Sequence, residues 1–370
     1  MPTTYRYLLA DLLTNEIIAE LPLTGVAFTQ QLNQAGTFTA RLLLSGIDAS
    51  AFNVDDSTVP GRNCIYVDRD GVLVWGGVIW GRSYNSASQE LSIQAREFLS
   101  YFEHRRIALT TVFNGIDQLV VAKTLVEDAQ NQTYGDIGVL YNTLGQTTSG
   151  VLVDRIYYVY ELKTVFNAVQ DLSRQGDGFD FYIDVYYDAI TGLPAKAFNT
   201  YYPRSGTVYS SSDPDALVYD FPAGNIVEYE YPEDGSVVAN TVYALGAGSN
   251  EGKLISIAQD LTKLTDGWAL LDDQANYSDV TDQIMLDNLA SGQVAATSYP
   301  PTTLKVVSPP FVSPFLLSGM VGDDARIIIT DSRFPDTLDD TYRIVALSIQ
   351  PGEDGPERLT LTLTQGTEGS

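Results

Sequence analysis

Hydrophobic and polar positions alternate with a period of two along much of this chain, the pattern of half-buried antiparallel strands. Thr37-Phe-Thr-Ala-Arg-Leu-Leu-Leu44 and Leu91-Ser-Ile-Gln-Ala-Arg96 show it most cleanly. The pattern predicts strands over Tyr5–Leu9, Glu16–Leu21, Val26–Leu32, Thr37–Leu44, Asn63–Asp68, Val72–Tyr84 and Glu90–Glu97. Asp70-Gly71, between two such runs, reads as a hairpin turn. Gly76-Gly77 inside an otherwise bulky strand predicts a bulge or sharp bend, which closing a small barrel requires.

From about Ile107 the period changes. Ile116–Asp128 reads as a helix, and residues 130–150 as a long Gly/Thr/Asn-rich loop or hairpin excursion. Leu162, Val165, Phe166, Val169 and Leu172 recur at helical spacing, with Gly176 as the stop. Strands are expected at Phe179–Tyr187 and Leu193–Tyr202, and a hairpin at Ile226–Tyr231 with Val237–Leu245. Helices are expected at Leu261–Gln274 and Thr281–Ala296, the latter closed by Pro300-Pro301. Thr303–Val307, Ala325–Thr330, Tyr342–Gln350 and Glu357–Thr364 read as the last strands.

The chain also repeats itself. Residues 59–97 run strand, turn, long strand, polar turn, strand, and residues 321–364 run the same way. A duplicated meander predicts a mainly β protein with two related small antiparallel β-barrels at the chain ends and an α/β region inserted between them. The expected division is 1–106 for the first barrel, 107–225 for the insertion and 226–370 for the second barrel, with a helical excursion at about 261–300.

Composition narrows the classes. With 18% charged and 44% hydrophobic residues the chain is globular. It opens into a strand without a basic start and apolar core, so no signal peptide is expected. No run approaches the ~18 apolar residues of a membrane span, and the expectation is a soluble protein made in a cytosol. The net charge of −26 argues against phosphate binding, which needs clustered Lys and Arg; it suits solubility, or a surface that nucleic acid slides past. One cysteine (Cys64, expected in the core) and one histidine (His104) exclude Cys/His zinc sites.

Carboxylates are the only reactive groups present in quantity. Asp177, Asp180, Asp184 and Asp188 recur along one β-prone run, and Glu228, Glu230, Glu233 and Asp234 along another. Glycoside hydrolysis needs two carboxyls roughly 5–10 Å apart. Residues i and i+4 of one strand stand roughly 13 Å apart, so only a pair drawn from two strands would serve, and a solvated acidic face is the favoured reading. Asp323-Asp324 and Asp339-Asp340 offer calcium-type ligands without the spacing of an EF-hand. His104 has no nucleophile elbow near it, Gly246-Ala-Gly248 lacks the third glycine of a dinucleotide site, and there is no phosphate loop. No catalytic, cofactor-binding or metal-ligating residue is named, and no cofactor is expected. The 23 tyrosines, dense over 157–160, 182–187 and 201–209, suit strand filling, interface anchors or sugar stacking.

Several blocks, taken in order, resemble a known family. Phe28-Thr-Gln-Gln-Leu-Asn33, Ala35-Gly36-Thr37-Phe38 and Leu42-Leu43-Leu44 are followed by Pro60-Gly61-Arg62, Asp68-Arg-Asp-Gly71 and Trp75-Gly-Gly-Val78. Leu91–Arg96 and Phe98–Arg105 come next. Together they resemble the opening of the tail hub (baseplate hub or minor tail) proteins of long-tailed bacteriophages, siphophage type. Gly322-Asp323 and Tyr342-Arg343-Ile-Val345 are similar to that family's second barrel. The resemblance covers both ends and reaches the middle by pattern only. It implies a structural protein of the virion tail tip, made in the host cytoplasm, and no enzyme. It further implies a homotrimer whose barrels form a pseudo-hexameric ring, adapting a six-fold tube to a three-fold tip. The implied partners are the distal tail protein ring, tip or fibre proteins and the tape-measure protein, with DNA crossing the lumen unbound. The alternative is a virion-associated glycan-binding or glycan-cleaving β-protein used in host adsorption, marked by a missing second barrel or by a groove holding two carboxylates beside exposed tyrosines.

Overall fold

The computed structural model describes residues 3–45, 52–175, 177–209, 216–222, 224–298, 304–308, 321–352 and 357–365. The first part runs β1 (Tyr5–Asp11), β2 (Ile17–Glu20), β3 (Thr24–Gln31), β4 (Thr37–Leu43), α1 (Val54–Ser57), β5 (Asn63–Arg69), β6 (Val72–Asn85), β7 (Glu90–Glu97) and α2 (Leu99–Glu103). Next come β8 (Thr111–Asp117), α3 (Gln118–Gln130), β9 (Val139–Tyr141), β10 (Leu152–Tyr157), α4 (Val165–Ser173), β11 (Asp180–Tyr187), β12 (Pro194–Tyr201) and β13 (Leu217–Phe221). The rest comprises β14 (Glu228–Glu230), β15 (Thr241–Leu245), β16 (Ile255–Gln259), α5 (Leu261–Thr265), β17 (Asp272–Asn276), α6 (Gln283–Thr297), β18 (Leu304–Ser308), β19 (Asp324–Ile329), β20 (Leu338–Gln350) and β21 (Arg358–Gln365). No helix among the described residues is long and apolar enough to cross a membrane.

The fold is mainly β and largely antiparallel. One sheet of thirteen strands runs β14-β18-β21-β20-β3-β4-β7-β6-β5-β1-β2, with β19 on β20 and β13 on β19. Both meanders of the repeat are present, β5-β6-β7 and β19-β20-β21. The bulge is repeated as well: register slips between Ile79 and Gly81 in β6 and between Ile344 and Ala346 in β20. Among the described residues neither meander closes into a barrel. The two join instead, through β3 on β20, into one curled sheet.

Burial explains the two textures of the strands. β4 alternates because only one face is covered: Phe38, Ala40 and Leu42 are buried while Thr37, Thr39 and Arg41 are exposed. β1 and β5 read as apolar runs because both faces are covered. Leu9, Ile65 and Val67 pack with Phe28, Trp75, Ile344 and Leu361 inside the curl. Leu8, Cys64 and Tyr66 pack outward with Phe98, Phe102, Phe181 and the α3 and α4 side chains. Burying alternate residues against two different cores pins the register, since a one-residue slip would exchange them.

The local signals behave as their chemistry requires. Asp70 and Gly71 both have positive φ (54° and 88°), as a tight two-residue hairpin turn needs. A Cβ at Gly77 would lie 2.1 Å from the Arg96 carbonyl oxygen, and one at Gly76 would lie 2.8 Å from Val185 of β11. Gly76 therefore lets the inserted strand β11 settle on β6, and Gly77 lets the β7 backbone close on it. Asp117, Thr164 and Asp282 cap α3, α4 and α6 through their side chains.

Several expectations need correction. The helix expected over Leu261–Gln274 stops at Thr265: Gly267 has φ 91°, and Asp272–Asn276 is a strand parallel to β15. Residues 226–231 and 237–245 do not form a hairpin. Glu228–Glu230 pairs with β18, and Thr241–Leu245 with β16 and β17, the two segments being separated by a short helical turn at Gly235–Val237. The loop over 130–150 contains β9, parallel to β12. α4 starts at Val165, because Leu162 is left-handed (φ 50°) and Thr164 caps the helix. The stops proposed at Gly176 and Pro300-Pro301 lie outside the described residues.

Candidate functional site

The acidic run 177–188 forms a solvated face only in part: Asp177 is exposed, but the acids that follow it on β11 are covered. Asp180 is buried at the meeting point of three parts of the chain. Asn33, left-handed (φ 57°) in the turn between β3 and β4, donates from Nδ2 to Asp180 Oδ1 at 2.9 Å. The Ser205 N–H donates to Oδ2 at 2.7 Å, and the Arg343 guanidinium pairs with the same oxygen. Arg343 also donates to the carbonyls of Ser205 and Gly322 at 3.1 and 3.2 Å. Beside it Arg204 pairs with Asp324 at 2.6 Å. The backbones cross here at contact distance: a Cβ on Gly206 would lie 2.1 Å from the Gly322 carbonyl carbon. The β3–β4 turn, the insertion and the second meander are thus locked by one buried ion pair and its hydrogen bonds.

Asp184, four residues further along β11, lies in a different environment. A groove of about 420 Å³ runs between the β5–β6 turn and the β11–β12 ribbon, lined by Leu73, Leu144, Tyr182, Asp184, Tyr187 and Tyr201. It adjoins a smaller cavity of about 70 Å³ that shares Leu73, Tyr182, Asp184 and Val185 and has Glu97 in its wall. The Tyr182 and Tyr201 rings stack with centroids 5.1 Å apart. Asn199 Nδ2 and the Tyr201 hydroxyl donate to Asp184 Oδ2 at 2.6 and 3.5 Å. Glu97 Oε2 accepts the Gly36 N–H at 2.6 Å. Burial raises both carboxyls, Asp184 above the usual range and Glu97 to about 8, and Asp184 adds to the rise at Glu97. Chemically the groove and its adjoining cavity together offer aromatic faces and two carboxyls drawn from different strands.

The remaining candidates are occupied structurally. Asp188 caps its own turn, accepting from Ile190 and Thr191, which holds its carboxyl low. Glu228, Glu230 and Glu233 pair with Arg358, Lys305 and Arg333, and Asp234 accepts the Ser236 N–H. Asp323 accepts the Thr207 N–H at 2.6 Å and Asp339 pairs with Arg326 at 2.7 Å. Among the described residues no three acids, histidines or cysteines gather where a metal ion could bind. His104 packs at a tilt against Trp80 with ring centroids 4.4 Å apart. Cys64 is fully buried, its thiol pushed up to about 12 by burial.

Glu97 is the residue that sequence reasoning missed. A signal for it existed: Leu91, Ile93 and Ala95 point inward, and Glu97 continues their parity, placing an acid on the covered side of a strand.

No protein-family model matches the chain, and no curated protein matches it. Solved structures do. A tail protein from Neisseria meningitidis shares 16% identity, with 97% of this chain and 96% of that one covered, at a TM-score of 0.58. The 43 kDa tail protein of prophage MuSo2 from Shewanella oneidensis shares 10% identity over 97% and 98% of the two chains, also at 0.58. Prophage tail protein gp18 from Listeria monocytogenes shares 11% over 98% and 95%, at 0.52. At these identities the likeness is one of fold, and it runs the whole length of the chain.

Proposed function

We propose that this chain is a structural component of a phage tail, a hub at the tail tip that assembles as a trimer. The observation that carries the proposal is the duplicated sheet, which presents the same meander twice within a fold shared end to end with tail proteins. Two meanders per chain and three chains give six similar units, so one ring can face a six-fold tube above and a three-fold tip below. Residues 1–106, 107–225 and 226–370 serve as first repeat, insertion and second repeat. Tube, tip and tape-measure proteins are the partners, and the net charge of −26 suits a wall that DNA slides past without binding. Light scattering on the purified protein over a range of concentrations, with negative-stain imaging, tests the assembly. The expected particle is an annulus of three times the 40.4 kDa chain mass; a monomer at every concentration counts against it.

One observation favours a second reading, glycan binding during adsorption. The groove of Tyr182, Tyr201 and Asp184, with Glu97 in the cavity that adjoins it, has the two carboxyls and aromatic faces that sugar recognition uses. On this reading a glycan array returns at least one saccharide whose binding disappears in Asp184→Asn. An array with no binder removes it.

A further inference from the structure

The two repeats match rank by rank across the sheet. In the first, Ala27 stands opposite Thr39, Thr39 opposite Gln94, and Gln94 opposite Gly81, just past the bulge. In the second, Glu230 stands opposite Lys305, Lys305 opposite Thr362, and Thr362 opposite Ala346, again just past the bulge. β14 is therefore the counterpart of β3, and β20 the counterpart of β6.

One pairing made by the second repeat has no partner in the first. β20 has β21 along one edge; along the other it carries β19 over its first half and β3 over Ala346–Ile349. β6 has β7 along one edge and β5 along the first half of the other. Among the described residues no strand pairs with Gly81–Asn85 on that second edge, and Arg82, Ser83, Tyr84 and Asn85 are exposed. Among the described residues β14 pairs with β18 alone and ends the sheet.

We infer that a second copy of this chain fills this gap: β14 and the residues after it in one copy pair antiparallel with Gly81–Asn85 in the next, as β3 pairs with β20 within each chain. The inference rests on the proposed assembly and specifies its contact. Each copy offers one edge of each kind, so the contact is head-to-tail, the type that generates rings.

The residues support the transferred register. Gln30 opposite Leu347 becomes Glu233 opposite Arg82, and Phe28 opposite Ile349 becomes Tyr231 opposite Tyr84. The first is a pair of opposite charges and the second an aromatic pair, both favourable across strands. Within its own chain Arg82 donates from Nη1 to the Asp55 carbonyl and Thr58 hydroxyl, and Glu233 lies 3.7 Å from Arg333, so both heads stay at the surface. Pro232 fits as well. The Leu32 N–H donates to the Val345 carbonyl, and bonded pairs alternate from there, which leaves Thr29 opposite Ser348 as a non-bonded pair. Pro232 takes the rank of Thr29, where the new ladder needs no N–H.

Arg82→Cys and Glu233→Cys, made in separate full-length chains and treated with a short bis-maleimide, test the pairing. Both sites are exposed, so folding should be kept, and circular dichroism checks it. Buried Cys64 stays unreacted. Covalent dimers are expected when the two variants are mixed and not from either alone, and the double variant should give a ladder ending at trimer. A trimer by light scattering with no cross-link overturns the strand pairing and leaves the trimer standing. Cross-linking by one variant alone indicates a two-fold contact and also overturns it. A monomer with no cross-link removes both.

Discussion

Asp180→Ala is expected to cost roughly 3–5 kcal/mol of folding stability, the range for breaking a buried ion pair from one side. Ordinary surface substitutions cost well under 1 kcal/mol. The carboxylate takes the Ser205 N–H, the Asn33 amide and the Arg343 guanidinium, and its side chain is only 6% exposed. Its removal leaves Arg343 largely enclosed with no countercharge and the Ser205 N–H unbonded. Guanidinium denaturation followed by circular dichroism would show a lower midpoint at an unchanged slope. Adding Arg343→Met should restore part of the loss, because the stranded charge then disappears. A cost below 1 kcal/mol would show that water or another acceptor takes over these donors, and that the three-part junction is not held by this pair.

Glu97→Gln should make the protein more stable at alkaline pH and flatten its response to pH. In the folded chain the Glu97 carboxyl keeps its proton up to about pH 8, against 4.5 for the ordinary group. Between these values the folded state binds a proton that the unfolded state has released, so stability falls as pH rises. The contribution is complete below pH 4.5 and gone above about 8. Allowing for partial solvent access, the swing is roughly 3 kcal/mol. Gln stays neutral throughout and its carbonyl can still accept the Gly36 N–H. The ionisable neighbours are Asp184, Arg96 (itself paired with Glu103 at 2.5 Å) and, beside Asp184, the Tyr182 and Tyr201 hydroxyls. Comparing wild type and variant melting curves from pH 5 to 9 isolates Glu97 from this background. Parallel curves would mean that its proton leaves at an ordinary pH.

Much of this architecture is legible in the sequence. The strands of the first hundred residues fall within one or two positions of their alternation, because all but the edge strand β2 bury at least one face against a fixed core. The repeat was legible because Glu90–Arg96 and Arg358–Thr364 carry the same inward parity. Pairing partners were not. Glu228–Glu230 bonds to Leu304–Ser308 rather than to its sequence neighbour, a choice set by distant backbone and not by local pattern. Asp272–Asn276 was missed because Asp-Asp-Gln-Ala-Asn has no apolar alternation; its ladder to β15 is largely a backbone matter. For the candidate site, Asp184 and the tyrosines were visible as types. Only folding β11 across Gly76 puts them beside Glu97.

The strand that joins the two repeats also sets a timetable for synthesis. β3 leaves the ribosome early, but its second partner, Ala346–Ile349, is made more than 300 residues later. At roughly 5–20 residues per second the wait lasts on the order of 15–60 s. During it Phe28–Gln31 presents an open edge, a template that any nascent chain nearby could extend. Final closure of the sheet therefore waits until Ala346–Ile349 has been made, and slow translation lengthens the vulnerable interval. Recombinant yield should then depend less on the finished protein's stability than on how crowded the polysomes are.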